Sequence, residues 1–487
     1  MTIFCAFLLF ALFASPSLAD PFNCSGIHTI NPPTNISDSW SYPSNWNNSV
    51  ATEQYASDQN CTWIINVESG MYAYLSLTAD TNQASVLTVT DSTGYVTTIE
   101  SVRMDPYFLM SPSFRIDLQS RQNGTLGIIV SWEKYAQPTA PFSPQVNPNS
   151  SPQILFGTDF DNYTVIKSET KVSLLALISL FLPEYSTFLR AIQVFDGPTI
   201  NSTHIGNLYQ VVASNTNLVS SGQYLTLFTF ISGLNRNSAI IIQDYSDVRN
   251  FSSYKAIQCL VPNLCQVSLD ATNGTAAAIR YMPENAYFFV KEIAMAQTSI
   301  LSAYTDFVTF AHRLADYTSE TSKTNIPQIF RSQFTTFVLN HDTATVQFSS
   351  NSLDAKWGTA FDGHRGFFAS PNYALNSTSQ MFSDQIFASK ASNITYIVHR
   401  AGIVGNSTFS VTVMLNQKAV INTVYSVTNF PGGAVSSIGD SIFVQYGSHD
   451  TYSTGGFATF AFDEYNSAAT NGILLTIFTS IWFAFSS

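Results

Sequence analysis

The chain carries 487 residues, of which only 11% are charged, and 20 Lys and Arg against 32 Asp and Glu leave a net charge of −12. That balance builds none of the cationic field that a phosphate backbone requires, which excludes nucleic acid partners. Aromatic residues reach 14%, with 38 Phe and 23 Tyr, a composition that favours strands over helices and supplies apolar material for several cores.

From Thr2 to Ala14 the chain is apolar, and Ser17-Leu18-Ala19 offers the small residues that signal peptidase needs. Residues 1–19 are therefore expected to be a signal peptide that directs export. Behind it stand 13 sequons of the form Asn-x-Ser/Thr, beginning at Asn23, Asn35, Asn47, Asn60, Asn123, Asn149, Asn162, Asn201, Asn250, Asn273, Asn376, Asn393 and Asn406. So many in an exported chain mark these residues as N-glycosylation acceptors on solvated turns. Cys5 leaves with the signal peptide, so Cys24, Cys61, Cys259 and Cys265 remain, an even number that suits two disulfides in an oxidising compartment. Three connectivities are open, and pairing of sequence neighbours is the simplest. On the loop-closure account a Cys24 to Cys61 bridge stabilises by about 4 kcal/mol and a Cys259 to Cys265 bridge by about 2 kcal/mol.

Strand-like alternation recurs along the chain, as at Leu87 and Val89 between Thr88 and Thr90, and at Phe409, Val411, Val413 and Leu415 around Ser410 and Thr412. The apolar run from Val172 to Leu182, bounded by Lys171 and Glu184, is too short to span a membrane and reads as a buried sandwich strand pair. A first domain is expected over 20–137 and a Pro/Asn/Ser linker over 138–152, PTAPFSPQVNPNSSP. Further domains are expected over 153–258, 259–350 and 351–465. Short Ser-started strands at Ser113, Ser221, Ser332 and Ser437 recur at steps of about 108 residues, the size of one small β-sandwich. At the far end, Gly472 to Phe485 is apolar, shorter than a membrane span and without a basic stop, and small residues precede it. Residues 466–487 therefore resemble a signal for a glycolipid (GPI) anchor, with attachment at Asn466, Ser467 or Ala468.

The residues that carry chemistry elsewhere do not gather here. His28, His204, His312, His341, His364, His399 and His449 stand singly, no HExxH or Cys-x-x-Cys occurs, and there is no Gly-x-Ser-x-Gly elbow, P-loop or dinucleotide fingerprint. No catalytic residue, metal ligand or cofactor is assigned. Gly363-His364-Arg365-Gly366 reads as a solvated turn in preference to an anion site, and Tyr42, Trp46 and Tyr55 as core packing in preference to an aromatic platform. Asp306, Asp463 and Glu464 cannot be given catalytic roles, because paired carboxylates are recognised by their separation in space.

Cys61-Thr62-Trp63-Ile64-Ile65, with Gly70 and the strand from Tyr72 to Thr78, resembles the opening of a CUB domain. Further along, Ile192-Gln193-Val194-Phe195-Asp196-Gly197-Pro198, Ile205-Gly206-Asn207-Leu208 and Ser220-Ser221-Gly222 are similar to its acidic turn, its IG-containing strand and its SSG-started strand. Ala369-Ser370-Pro371-Asn372-Tyr373 and Gly455-Gly456-Phe457-Ala458 echo the pattern in the last unit, and Tyr42-Pro43-Ser44-Asn45-Trp46 brings the first unit close to the nematode CUB-like proteins. The resemblance implies an all-β chain of tandem CUB-like antiparallel β-sandwiches. It also implies a secreted or surface-anchored, non-enzymatic recognition glycoprotein with a role in innate immune defence against bacteria. Its partners would be an extracellular protein or glycan and a membrane reached through the lipid anchor. An adhesion or matrix protein is the alternative, and a surface hydrolase the lesser one. CUB domains that hold calcium do so through several clustered oxygens. Asp91 and Asp196 occupy the acidic turns, yet the later position reads Ser232-Gly233 in the second unit, and the last unit has Ser448-His449-Asp450 without an acidic turn. The two aspartates are therefore expected to close β-turns.

Overall fold

The computed structural model describes residues 21–465 except 45, 83, 136–139, 161–162, 178–182, 232–237, 260–264, 284–285, 379, 400–401 and 431, and except the side chains of 183–185. The expected signal peptide, Asn162, Ser232-Gly233 and the expected attachment residues Asn466, Ser467 and Ala468 thus lie outside the described residues. Strand makes up 55% and helix 7%, so the chain is all-β, built from antiparallel sheets.

Alternation of inward apolar and outward polar residues makes the first sheets amphipathic. In Asn60–Asn66 the side chains of Cys61, Trp63 and Ile65 turn inward while their neighbours stay at least partly solvated. That strand lies second in a five-stranded sheet whose lateral order is Ser25–Ile30, Asn60–Asn66, Ser113–Gln119, Val86–Thr90 and Val96–Ile99. The first pair is parallel and the others antiparallel. Its partner sheet runs Trp40–Tyr42, Gly124–Lys134, Met71–Asp80 and Ser101–Met110. One core, with Trp63, Ile116, Leu75, Leu77 and Trp132, fills the space between them.

The next two units repeat these nine strands in the same order, and the first unit adds Glu53–Tyr55 on Gly124–Lys134. In the second, the order is Gln145–Val146, Tyr163–Ser168, Tyr224–Thr229, Ile192–Asp196 and Thr203–Asn207, facing Gln153–Phe156, Ala239–Asp244, Val172–Leu177 and Leu218–Val219. In the third it is Ser253–Ala256, Ala276–Tyr281, Phe334–Leu339, Leu301–Thr305 and Arg313–Tyr317, facing Cys265–Asp270, Thr343–Ser349, Phe288–Met295 and Gln328–Phe330. Each five-stranded sheet again opens with its single parallel pair. The strands at or just after Ser113, Ser221 and Ser332 are the middle strands of the three five-stranded sheets, so the spacing seen in the sequence marks equivalent positions.

The fourth member of that series differs. Ser437 lies in Val435–Gly447, part of one seven-stranded sheet ordered Arg365–Ala369, Phe457–Glu464, Met381–Val398, Val435–Gly447, Thr408–Leu415 and Lys418–Tyr425, with Thr359–Ala360 parallel to Met381–Val398. Residues from both edges of this sheet share one core, and the hydroxyls of Tyr396 and Tyr425, three strands apart, meet at 2.8 Å. The sheet therefore curls on itself, bending where the register shifts between Phe387 and Ser392 in its 18-residue strand.

Two expected boundaries move. The third unit begins before Cys259, because Ser253–Ala256 pairs with Ala276–Tyr281. The Pro/Asn/Ser segment 138–152 is not wholly a linker, since Gln145–Val146 is the edge strand of the second sandwich. Of the run from Val172 to Leu182, Val172–Leu177 forms one buried strand and the remainder lies outside the described residues.

Candidate functional site

Both disulfides pair sequence neighbours. Cys24 joins Cys61 across the parallel strand pair, with Cα atoms 5.8 Å apart, and Cys259 joins Cys265 at 4.6 Å. Of the twelve sequon asparagines within the described residues, eleven are exposed, and Asn393, inside Met381–Val398, is half-buried. Strand direction places Asn23, Asn60 and Asn123 together: Asn60 pairs with Ser25 and Gln119, so all three stand at the end of the first sandwich away from the second.

The acidic turns are occupied by the protein's own donors. Asp91 Oδ1 accepts from the Thr93 amide at 2.8 Å, the Thr93 hydroxyl at 2.7 Å and the Tyr95 amide at 3.0 Å. Its Oδ2 accepts from Gln210 Nε2 of the second sandwich at 2.5 Å. Asp196 Oδ1 accepts from the Ser221 amide at 2.8 Å. Asp91 therefore closes its own turn as expected, whereas Asp196 ties its turn to the start of the Ser221 strand, 25 residues on. Among the described residues no three or more His, Cys, Asp or Glu side chains cluster to hold a metal ion.

The most highly built polar cluster is the joint between the first two sandwiches. Arg190, 5% exposed, ends the 3-10 turn Pro183–Ala191 and pairs with Asp105 of the first sandwich at 2.8 Å. Its guanidinium lies between the rings of Tyr107 and Tyr209, 3.9 and 4.4 Å from their centroids, and donates to the Pro106 carbonyl. Gln193 donates to the Phe108 carbonyl through Nε2 and accepts at Oε1 from His204 Nε2 at 2.8 Å; burial lowers the His204 pKa. Beside this cluster Tyr72, Phe108, Phe195 and Phe228 form an apolar wall, with Tyr72 stacked on Phe230 at 4.1 Å. The cleft lined by Asp91, Tyr95, Arg190, Asn207 and Tyr209 is about 20 Å³, room for a water and nothing larger. The cluster is thus a clamp between modules. The sequence offered one signal for it, a lone Arg in the run Phe188-Leu189-Arg190-Ala191-Ile192, and sequence reasoning passed it over.

The later joints follow the same logic. Leu175, Ile241 and Val248 of the second sandwich pack on Ala277, Ile279 and Phe334 of the third. Ser151 Oγ donates to Asp306 Oδ2 at 2.5 Å, and burial pushes the Asp306 carboxyl up to about 6. Asp247 lines the same cleft and is likewise raised by burial, with the Asn149 amide bonded to it. Two carboxylates thus border one cleft, which at about 10 Å³ is the size of a single water. At the last joint, Gln328 donates to the Phe367 carbonyl at 2.8 Å and accepts from the Phe367 amide at 3.0 Å, imitating a strand neighbour, and Arg331 pairs with Asp384.

The remaining expected positions are structural. Asp463 is engaged by Arg365 at 2.9 Å and Glu464 by Lys390 at 3.0 Å. His364 is not solvated: it is buried against Phe361 and Phe460, and desolvation lowers its pKa to about 4, so it is neutral and cannot attract an anion at neutral pH. Tyr55, 0% exposed, and the half-buried Tyr42, which packs on Trp63 at 4.8 Å, belong to the first core, whereas Trp46, 5% exposed, is buried over Gly127 outside that cluster.

This geometry defines an all-β chain of serial sandwiches joined by buried clamps. Residues 19–136 match the family described as CUB-like domain, a module typical of extracellular, non-enzymatic binding proteins. Residues 145–230 match a domain of unknown function, DUF7592, and residues 246–351 another, DUF7591. No curated protein matches the chain. Among solved structures, the CUB1-EGF-CUB2 domains of rat MASP-1 align at 9% identity over 45% of this chain and 100% of theirs, with a TM-score of 0.18. The corresponding human MASP-1/3 domains align at 9% identity over 41% and 99%, with a TM-score of 0.17. A triple jelly-roll protein of an archaeal virus aligns at 9% identity over 85% and 84%, with a TM-score of 0.15. At these scores the superpositions carry no argument about arrangement or function.

Proposed function

We propose that the chain is a secreted or surface-displayed glycoprotein that recognises an extracellular protein or glycan through a row of three CUB-like sandwiches and a curled fourth unit, without catalysis. The observation that carries the reading is the repetition of one nine-strand wiring in three successive units, the first of which matches the CUB-like family. Extending the CUB-like description to the second and third units rests on that shared wiring. Two disulfides and eleven exposed sequons support an extracellular setting. The water-sized clefts at the joints support recognition on outer surfaces over turnover in a pocket.

Display through a glycolipid at Asn466, Ser467 or Ala468, and a role in innate defence, extend the same reading. The first rests on the tail sequence and the second on the resemblance to nematode CUB-like proteins. Treatment of expressing cells with a phosphatidylinositol-specific phospholipase is expected to release the protein; retention in the membrane fraction contradicts the anchor. Soluble protein spanning residues 20–465 is expected to bind bacterial surfaces or their glycans. Binding to host matrix alone would instead support the adhesion reading.

A further inference from the structure

Arg280 projects from Ala276–Tyr281 into the interior of the third sandwich and is 7% exposed. Among the described residues no carboxylate acts on it, and desolvation alone lowers its pKa to about 10. Its guanidinium is flanked by the rings of Phe288 and Phe348, at 4.3 and 5.1 Å from their centroids. Among the described residues its hydrogen bonds go to sulfur: Nε points at Met282 Sδ at 3.3 Å and Nη1 at Cys265 Sγ at 3.2 Å. A buried cation ordinarily demands an anion, and thioether, disulfide and ring faces are weak substitutes.

The sulfur that Arg280 faces belongs to the Cys259–Cys265 bridge. Cys265 is buried, whereas Cys259 is half-buried and so is the more accessible of the pair. In a thiol–disulfide exchange the departing sulfur leaves as a thiolate, and an adjacent guanidinium favours its departure. The first bridge, Cys24 to Cys61, has no Arg, Lys or His bonded to either sulfur among the described residues.

We propose that Cys259–Cys265 is an exchange site for an external dithiol of the Cys-x-x-Cys oxidoreductase class, with Cys259 as the sulfur attacked and Cys265 as the leaving thiolate held by Arg280. The incoming thiolate forms a bond to Cys259 Sγ while the Cys259–Cys265 bond breaks and its electron pair passes to Cys265. The second thiol of the reductant loses its proton and attacks the mixed disulfide, which leaves the reductant as a disulfide and Cys259 as a thiol. One of the two reductant protons ends on Cys259 and the other goes to solvent. Reduction supplies the buried cation with an anion, which it lacks among the described residues. It also loosens a tie beside the second joint, because Tyr254 and Ala256, a few residues before Cys259, pack in the core shared with the second sandwich.

The test uses the full glycosylated chain. Brief exposure to glutathione, acid quenching and peptide mapping are expected to place the mixed disulfide on Cys259; an adduct on Cys265, or none on either, overturns the proposal. In dithiothreitol redox buffers with alkylation of free thiols, Cys259–Cys265 is expected to open under less reducing conditions than Cys24–Cys61. Arg280→Met is expected to make it about tenfold harder to reduce, ~30 mV for a two-electron couple, and Arg280→Lys to recover part of that shift. Equal reduction of the two bridges, or a folded Arg280→Met with unchanged reduction, contradicts the assignment. If Arg280→Met does not fold, the adduct position and the order of opening in the unaltered chain decide the matter.

Discussion

Arg190 shows how a single side chain can set the relation of two modules. Its charge is desolvated, paired with Asp105 and enclosed by Tyr107 and Tyr209, so removing it leaves the half-buried Asp105 without its cation. Arg190→Ala is expected to destabilise the first joint by about 3 kcal/mol or more, read as a lowered denaturant midpoint and faster proteolysis between residues 135 and 145. Asp306 acts in the opposite sense. Its folded pKa is raised from 3.8 to about 6, so the stability it contributes is fully present below pH 4 and is lost as pH rises through 6. The loss amounts to about 3 kcal/mol across that window. Asp247, raised in the same cleft, adds to the same trend. A Tm profile from pH 4 to 7 is expected to flatten in Asp306→Asn; an unchanged slope contradicts the assignment. Asp244 opposes both only at more acid pH. Burial works against its charge, yet hydrogen bonds from Ser168, Ser246 and Thr170 outweigh that and hold it at about 2, so its contribution is lost as pH falls below the ordinary carboxylate range.

Elements were the most legible level of the sequence. Alternation in Val86–Thr90 and Thr408–Leu415 is the direct imprint of strands solvated on one face, and both form as expected. The Ser-started repeat worked for three units because the same central strand recurs there at the same place in the wiring. It misled at Ser437, since a motif of a few residues reports a strand but not its lateral neighbours. The turn at Gly363 to Gly366 misled for another reason: the core that buries His364 draws on Trp357, Phe361 and Phe460, and Phe460 is remote in sequence. The curl of the fourth unit depends on backbone closeness that only Gly permits. Gly402 has φ +94°, and a Cβ there would meet the Gly455 carbonyl oxygen at 1.5 Å. Gly402→Ala is expected to cost about 3 kcal/mol or more and to unfold the fourth unit first, which hydrogen exchange resolved by segment would reveal. In the first unit, loss of the Cys24–Cys61 bridge in Cys24→Ser/Cys61→Ser is expected to cost about 4 kcal/mol, seen as a lower denaturant midpoint in the first sandwich.

At the scale of the whole molecule, the joints could not be read from the sequence, because Arg190 with Asp105, Ser151 with Asp306 and Gln328 with Phe367 are tens of residues or more apart. They link the four units through buried contacts, with water-sized clefts at the first two joints. The sugars are expected on the outer surface, with Asn23, Asn60 and Asn123 grouped at the far end of the first sandwich. Enzymatic deglycosylation in heavy-oxygen water followed by peptide mapping of the cell-derived protein tests the extracellular account most directly. Label is predicted at the exposed sequons, including Asn23, Asn60 and Asn123, and not at the half-buried Asn393. A protein without label at any sequon would contradict the account.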